Sequence, residues 1–64
     1  MLKKKLLQSW DWKKSKFEIY GVFKHSVFPI GFIIKIKDKD GTEYEKRFKN
    51  EIELAEFLKS LFLA

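Results

Sequence analysis

A chain of 64 residues makes one domain, because at this size only about 60% of the unfolded surface is buried and no second core can form. With 45% hydrophobic and 17% aromatic residues but no cysteine, ordinary packing must hold it, which excludes a disulfide framework or a cysteine-built zinc site and makes stability marginal. The net charge of +5 invites a polyanionic partner, and it is unevenly placed: the first sixteen residues hold six lysines against Asp11, leaving eight bases and eight acids in the rest.

The opening Met1-Leu2-Lys3-Lys4-Lys5-Leu6-Leu7 begins like a signal peptide, but the apolar run stops at two leucines and meets Gln8-Ser9-Trp10-Asp11 without a small-residue cleavage site. Nothing approaches the roughly 18 apolar residues of a membrane span. The expectation is a soluble, cytoplasmic protein, although cysteine usage bears only weakly on compartment. In the first twelve residues Leu2, Leu6, Leu7 and Trp10 share a face at helical spacing, whereas Trp10 and Trp12 share one only in an extended chain. A short helix leading to an extended segment satisfies both. Residues 1–16 are therefore set apart as a basic N-terminal segment and 17–64 as a β-β-β-α domain.

Lys16-Phe17-Glu18-Ile19-Tyr20-Gly21-Val22-Phe23-Lys24 alternates as a strand, with Phe17, Ile19 and Phe23 on one face and Glu18, Tyr20 and Val22 on the other. Gly21 marks a bulge or a close approach. His25-Ser26-Val27-Phe28-Pro29-Ile30 reads as a turn or loop, because Pro29 has no amide to donate to a ladder. Residues 31–37 and 42–48 are β-branched and aromatic, and Lys39-Asp40-Gly41 between them fits a three-residue hairpin loop with Gly41 left-handed. That loop sets Ile36 opposite Tyr44, Ile34 opposite Lys46 and Phe32 opposite Phe48 on the core face. Lys37 then opposes Glu43 and Lys35 opposes Glu45 on the outer face, which neutralises itself and leaves Ile33 and Arg47 beside the pairs.

Asn50 is a good N-cap, Glu51 and Glu53 sit where the helix dipole favours anions, and Leu54, Ala55, Leu58, Leu61 and Phe62 recur at helical spacing. A helix over 51–63 follows, with Ile52 and Leu63 off its core stripe as candidate partner contacts. The predicted fold class is α+β: a three-stranded antiparallel sheet packed against one C-terminal helix, with a basic N-terminal segment.

Catalysis finds little support, since the lone His25 lies in a predicted turn and its neighbour Ser26 would point away on an extended chain. Asp38-Lys39-Asp40-Gly41 begins like a calcium loop, but its glycine comes two positions early and Lys49 stands where the closing glutamate belongs. No phosphate-cradling glycine loop occurs. The chain reads as a non-enzymatic binding protein without metal or cofactor.

Nucleic acid is the leading partner. Lys3, Lys4, Lys5, Lys13, Lys14 and Lys16 can contact phosphates, and Trp10 and Trp12 between them can stack on bases, although tryptophans also anchor small cores. Tyr20-Gly21-Val22, Gly31-Phe32, Ile36-Lys37-Asp38 with Gly41, and Phe48 shortly before Glu51 to Ala55 together resemble the AP2-like DNA-binding domains of plant transcription factors and of tyrosine-recombinase N-terminal regions. The resemblance covers about residues 17 to 62 and rests on spacing and architecture. It implies a sheet face in the major groove, with contact roles for Lys24, Lys35, Lys37 and Arg47. The sequence departs from that pattern at Lys46-Arg47-Phe48, in place of a Leu-Gly-Thr-Phe type segment, and at Glu43 and Glu45, where cations are expected. Duplex DNA held chiefly by the N-terminal segment is thus the first reading. The second is a phage or mobile-element type interaction module docking on an acidic surface of a larger protein, through its aromatics, Ile52 and Leu63. A third makes Leu2 to Trp10 a membrane-surface helix, marginal at about nine residues. Self-association stays open.

Overall fold

The computed structural model describes residues 2–25 and 27–63. Met1 of the signal-like opening, and Ser26 of the loop and of the His25-Ser26 pair, lie outside them. Four strands, β1 (Lys3–Trp12), β2 (Ser15–Phe23), β3 (Gly31–Lys37) and β4 (Glu43–Phe48), form one antiparallel sheet in the order β1-β2-β3-β4, followed by α1 (Glu51–Leu63). The expected three-stranded sheet is therefore corrected to four. The basic N-terminal segment, with its proposed short helix, is instead β1 and the start of β2.

Two local features let residues 3–12 join the sheet. Trp12 pairs with Ser15, so Lys13 and Lys14 alone make the turn, with φ of 50° and 66°. Left-handed conformations at both central positions define the two-residue hairpin turn whose twist matches the flanking strands. Lysine pairs do not announce such a turn as Asn-Gly would. The second feature is a bulge at Leu7, between the pairs Leu6–Tyr20 and Gln8–Ile19. It shifts the phase of the strand, so Gln8, Trp10 and Trp12 face the helix whereas Leu6 and Lys4 face the other way. Across from it Gly21 is buried, and a Cβ there would stand 2.9 Å from the Phe23 ring and 3.0 Å from Leu7 Cδ1. Of the two roles anticipated for Gly21 the close approach is met, whereas the bulge lies on the neighbouring strand at Leu7 and Gly21 itself keeps regular register with Lys5 and Phe32.

The β3–β4 register is the expected one throughout, from Phe32–Phe48 to Lys37–Glu43. Asp38 N–H donates to Thr42 C=O at 2.8 Å and Gly41, at φ 91°, donates to Asp38 C=O at 3.0 Å, closing the Lys39-Asp40-Gly41 loop. Ser15 Oγ donates to Asp38 Oδ1 at 2.9 Å, tying this loop to the start of β2.

The helix begins as its cap predicts: Asn50 Oδ1 accepts from Glu53 N–H at 2.9 Å, and Glu53 Oε1 reaches back to Lys49 N–H at 3.3 Å. Phe17, Ile19, Phe32, Ile34 and Leu54 form the buried core, with Trp10, Trp12, Ile36, Phe48, Phe57, Leu58 and Leu61 packed against it. The helical stripe is thus turned slightly from the expected one, since Phe57 packs inward while Ala55 is exposed. At about 1.5 Å per residue, α1 is roughly 20 Å long. It leaves the end of β4 with Phe57 against Phe48 (ring centroids 5.3 Å) and finishes with Phe62 against Trp12 (4.6 Å, edge-on). This diagonal course covers the Trp10–Trp12 part of β1 and leaves Lys3 to Leu7 exposed.

Candidate nucleic-acid interface

Strand alternation and register fix what projects from the sheet face opposite the helix. Lys4, Leu6, Ser9 and Asp11 come from β1, Lys16, Glu18, Tyr20 and Val22 from β2, Ile33, Lys35 and Lys37 from β3, and Glu43, Glu45 and Arg47 from β4. Tyr20 is half-buried between two cations, with Lys4 Nζ 5.3 Å and Lys35 Nζ 5.5 Å from its ring centroid. Ile33, flanked in register by Tyr20 and Arg47, is only 6% exposed although it lies outside the core beneath the helix.

The outer face was expected to neutralise itself through Lys35–Glu45 and Lys37–Glu43. The register brings these residues opposite one another, but among the described residues Glu45 makes its ion pair with Arg47 of its own strand, Nε to Oε1 at 3.9 Å. Lys35 turns to Tyr20 instead. Both partners of the Arg47–Glu45 pair are well exposed, so it holds Arg47 weakly and leaves its other donors to solvent.

The remaining expected site residues divide between places. Trp10 and Trp12 lie on the helix side, Trp10 stacked on Phe17 (5.2 Å, 4° between planes) and Trp12 edge-on to Phe62. Lys13 Nζ stands 4.6 Å from the Trp12 ring centroid. Lys3 and Lys5 oppose Phe23 and Gly21, on the helix side of the sheet, and Lys24 follows the end of β2 in the loop. Ile52 and Leu63, 69% and 75% exposed, stand near opposite ends of α1 and do not form one surface. Lys16, Lys35 and Arg47 share the open face with Lys4, so the N-terminal segment and the sheet face, which compete as sites in the sequence, are in part the same surface.

Folding also redistributes the charge. Lys13, Lys14 and Lys16 arrive beside Lys37 and Lys39 but also beside Asp11, Asp38, Asp40 and Glu43, at one end of the sheet. At the other end Lys3, Lys4, Lys5, Lys24, Arg47 and Lys49 meet, among the described residues, Glu45, which pairs with Arg47, and Glu51 and Glu53 of the first helical turn. The excess of positive charge is therefore at the end where β1 begins. The long axis of the molecule is 36 Å, so the two lysine groups of the N-terminal segment cannot act as a single point of attachment.

Sequence reasoning passed over Lys4 and Tyr20 as neighbours, because only the β1–β2 register joins them. It also passed over Val27, Phe28 and Ile30, exposed by 85%, 74% and 54%, whose signal was present as an apolar run in a predicted loop. Among the described residues no group of three His, Asp or Glu side chains is placed to hold a metal ion, and no helix is long and apolar enough to cross a membrane. Comparison with protein-family models, with curated proteins and with solved structures gives no match for this chain.

Proposed function

We propose that the chain is a small nucleic-acid-binding protein that engages phosphates through the open face of its sheet. The observation that carries this reading is the register that lines Lys4, Lys16, Lys35, Lys37 and Arg47 along one face around Tyr20. Four strands at about 4.8 Å spacing put roughly 14 Å between β1 and β4, more than the 12 Å or so of a B-form major groove. A face of this width lies across backbones instead of entering the groove, and contacts with phosphate carry no sequence information. The reading thus keeps the open-face contact of AP2-like domains but not their groove insertion, since β1 adds a strand to the three that the resemblance covers. Asp11, Glu18, Glu43 and Glu45 among the cations keep affinity modest and strongly dependent on salt.

Trp10 and Trp12 are assigned to packing in this reading. The test is duplex binding by fluorescence anisotropy across a salt series, on the intact chain. Each phosphate contact contributes about 0.9 to the fall of log affinity with log salt, so Lys35→Gln with Arg47→Gln lowers the slope by about 1.8. An unchanged slope in that variant refutes the face as the site.

A further inference from the structure

The end of the sheet where β1 begins combines positive charge with exposed apolar side chains. Leu2, Val27, Phe28, Ile30 and Ile52 are 58%, 85%, 74%, 54% and 69% exposed. They come from the N-terminus, the β2–β3 loop and the first turn of α1, yet Leu2, Phe28, Ile30 and Ile52 adjoin, and Val27 precedes Phe28 in the chain. Leu2 and Ile30 line one shallow hollow with Ile33, Phe28 and Ile52 line a second with Pro29, and Phe32 borders both. Ile30 is anchored by its N–H to Val22 C=O at 2.7 Å, so part of the loop is held against the sheet. Lys3, Lys4 and Arg47 border the first hollow, Lys49 and Glu51 the second, and Lys24 is exposed at the start of the same loop. Singly exposed apolar residues are ordinary, but four converging within a mainly cationic rim mark an interaction surface.

We propose that this end docks on an anionic lipid membrane, with Val27, Phe28 and Ile30 entering the headgroup boundary and the lysines meeting lipid phosphates. Two other occupants fit less well. A second copy brings the same cationic rim and is repelled. A protein partner selects Trp, Tyr and Arg anchors and disfavours lysine, whereas both tryptophans of this chain turn into the core and the cations of the rim are lysines except for Arg47. Apolar side chains at the level of a lysine collar are instead the pattern of interfacial membrane binding. This site borders the nucleic-acid face and shares Lys4 and Arg47 with it, and the variants below leave both of those residues intact.

The test is co-sedimentation of the intact protein with vesicles of phosphatidylcholine containing about 30% phosphatidylserine, against phosphatidylcholine alone. Binding to the anionic vesicles only is expected. Lys24→Gln with Lys49→Gln weakens it about five-fold per lysine, and Val27→Ser with Phe28→Ser weakens it about ten-fold or more. Both variants change exposed side chains, so thermal melts stay as in the parent protein, and the serine variant, which removes no charge, also keeps the salt dependence of nucleic-acid binding. Failure to bind anionic vesicles overturns the proposal and leaves an acidic protein groove as the occupant. Binding that the lysine changes abolish but the serine changes leave intact also overturns it, as mere adsorption of a basic protein.

Discussion

The Lys13-Lys14 turn offers a perturbation whose sign is opposite for its geometry and for its charge. Both residues are left-handed, at φ 50° and 66°, and a side chain in that region costs about 1–2 kcal/mol per residue. Replacing the pair with Asn-Gly supplies the residues that this turn prefers. Against the gain stand about 0.5–1 kcal/mol for the contact of Lys13 with the Trp12 ring and a similar amount for the chain entropy of glycine. The net expectation is a stabilisation of about 1 kcal/mol, which raises the melting midpoint of a domain this small by about 4–8 °C. Thermal and urea melts followed by circular dichroism measure it, and the urea midpoint should rise with an unchanged slope. A lower or unchanged midpoint refutes the turn, and with it the pairing of β1 with β2. The same variant separates two sites for nucleic acid: if the open face holds it, the salt slope stays as it was, whereas a fall of about 1.8 moves the contact to the turn lysines.

Three further outcomes follow from the same geometry. Ile34, 1% exposed at the centre of the core, should cost about 2–5 kcal/mol when changed to alanine, enough to leave a chain this small largely unfolded in a urea titration. Asn50→Ala removes the acceptor for Glu53 N–H and should cost about 0.5–2 kcal/mol, seen as a lower melting temperature. The Asp40 carboxyl lies below its ordinary value of 3.8 because it accepts the backbone N–H of Thr42, at 2.9 Å, and a side-chain hydrogen bond from the same residue. A depressed value in the folded state gives stability that is present above 3.8 and lost as pH falls through the lower folded value. Asp40→Asn should therefore flatten the acid limb of the stability profile relative to the parent protein; parallel profiles in the two proteins refute the assignment.

The hairpin and the helix were legible in the sequence because their signals are local and mutually consistent. Gly41 fixes the loop length, the loop length fixes the register, and the register alone puts Ile34 and Phe32 inward while pairing lysines with glutamates. Asn50 and the two glutamates after it mark the start of α1. The first strand was not legible, because each of its cues is disguised. Its turn is built from lysines, its alternation breaks phase at Leu7, and Leu2, Leu6 and Leu7 with Trp10 imitate a helical period. Trp10 and Trp12, which share a face only in an extended chain, were the one sign of a strand there. The candidate site followed the same division. Lys35 and Arg47 could be placed by the hairpin and Tyr20 by the alternation of residues 16–24, but their relation to Lys4 depended on β1. Deleting residues 1–14, a natural test for a basic tail, would here remove an entire strand and two core tryptophans, so substitution must replace truncation.

The most direct test of the central claim is a two-dimensional amide NMR titration of the intact protein with a short duplex. The open-face reading predicts shifts that concentrate at Lys4, Lys16, Tyr20, Lys35 and Arg47 and that leave Phe57, Leu58 and Leu61 of the helix unmoved. Shifts that gather instead at the Trp10 and Trp12 indole N–H groups, or along the outer side of α1, would contradict it.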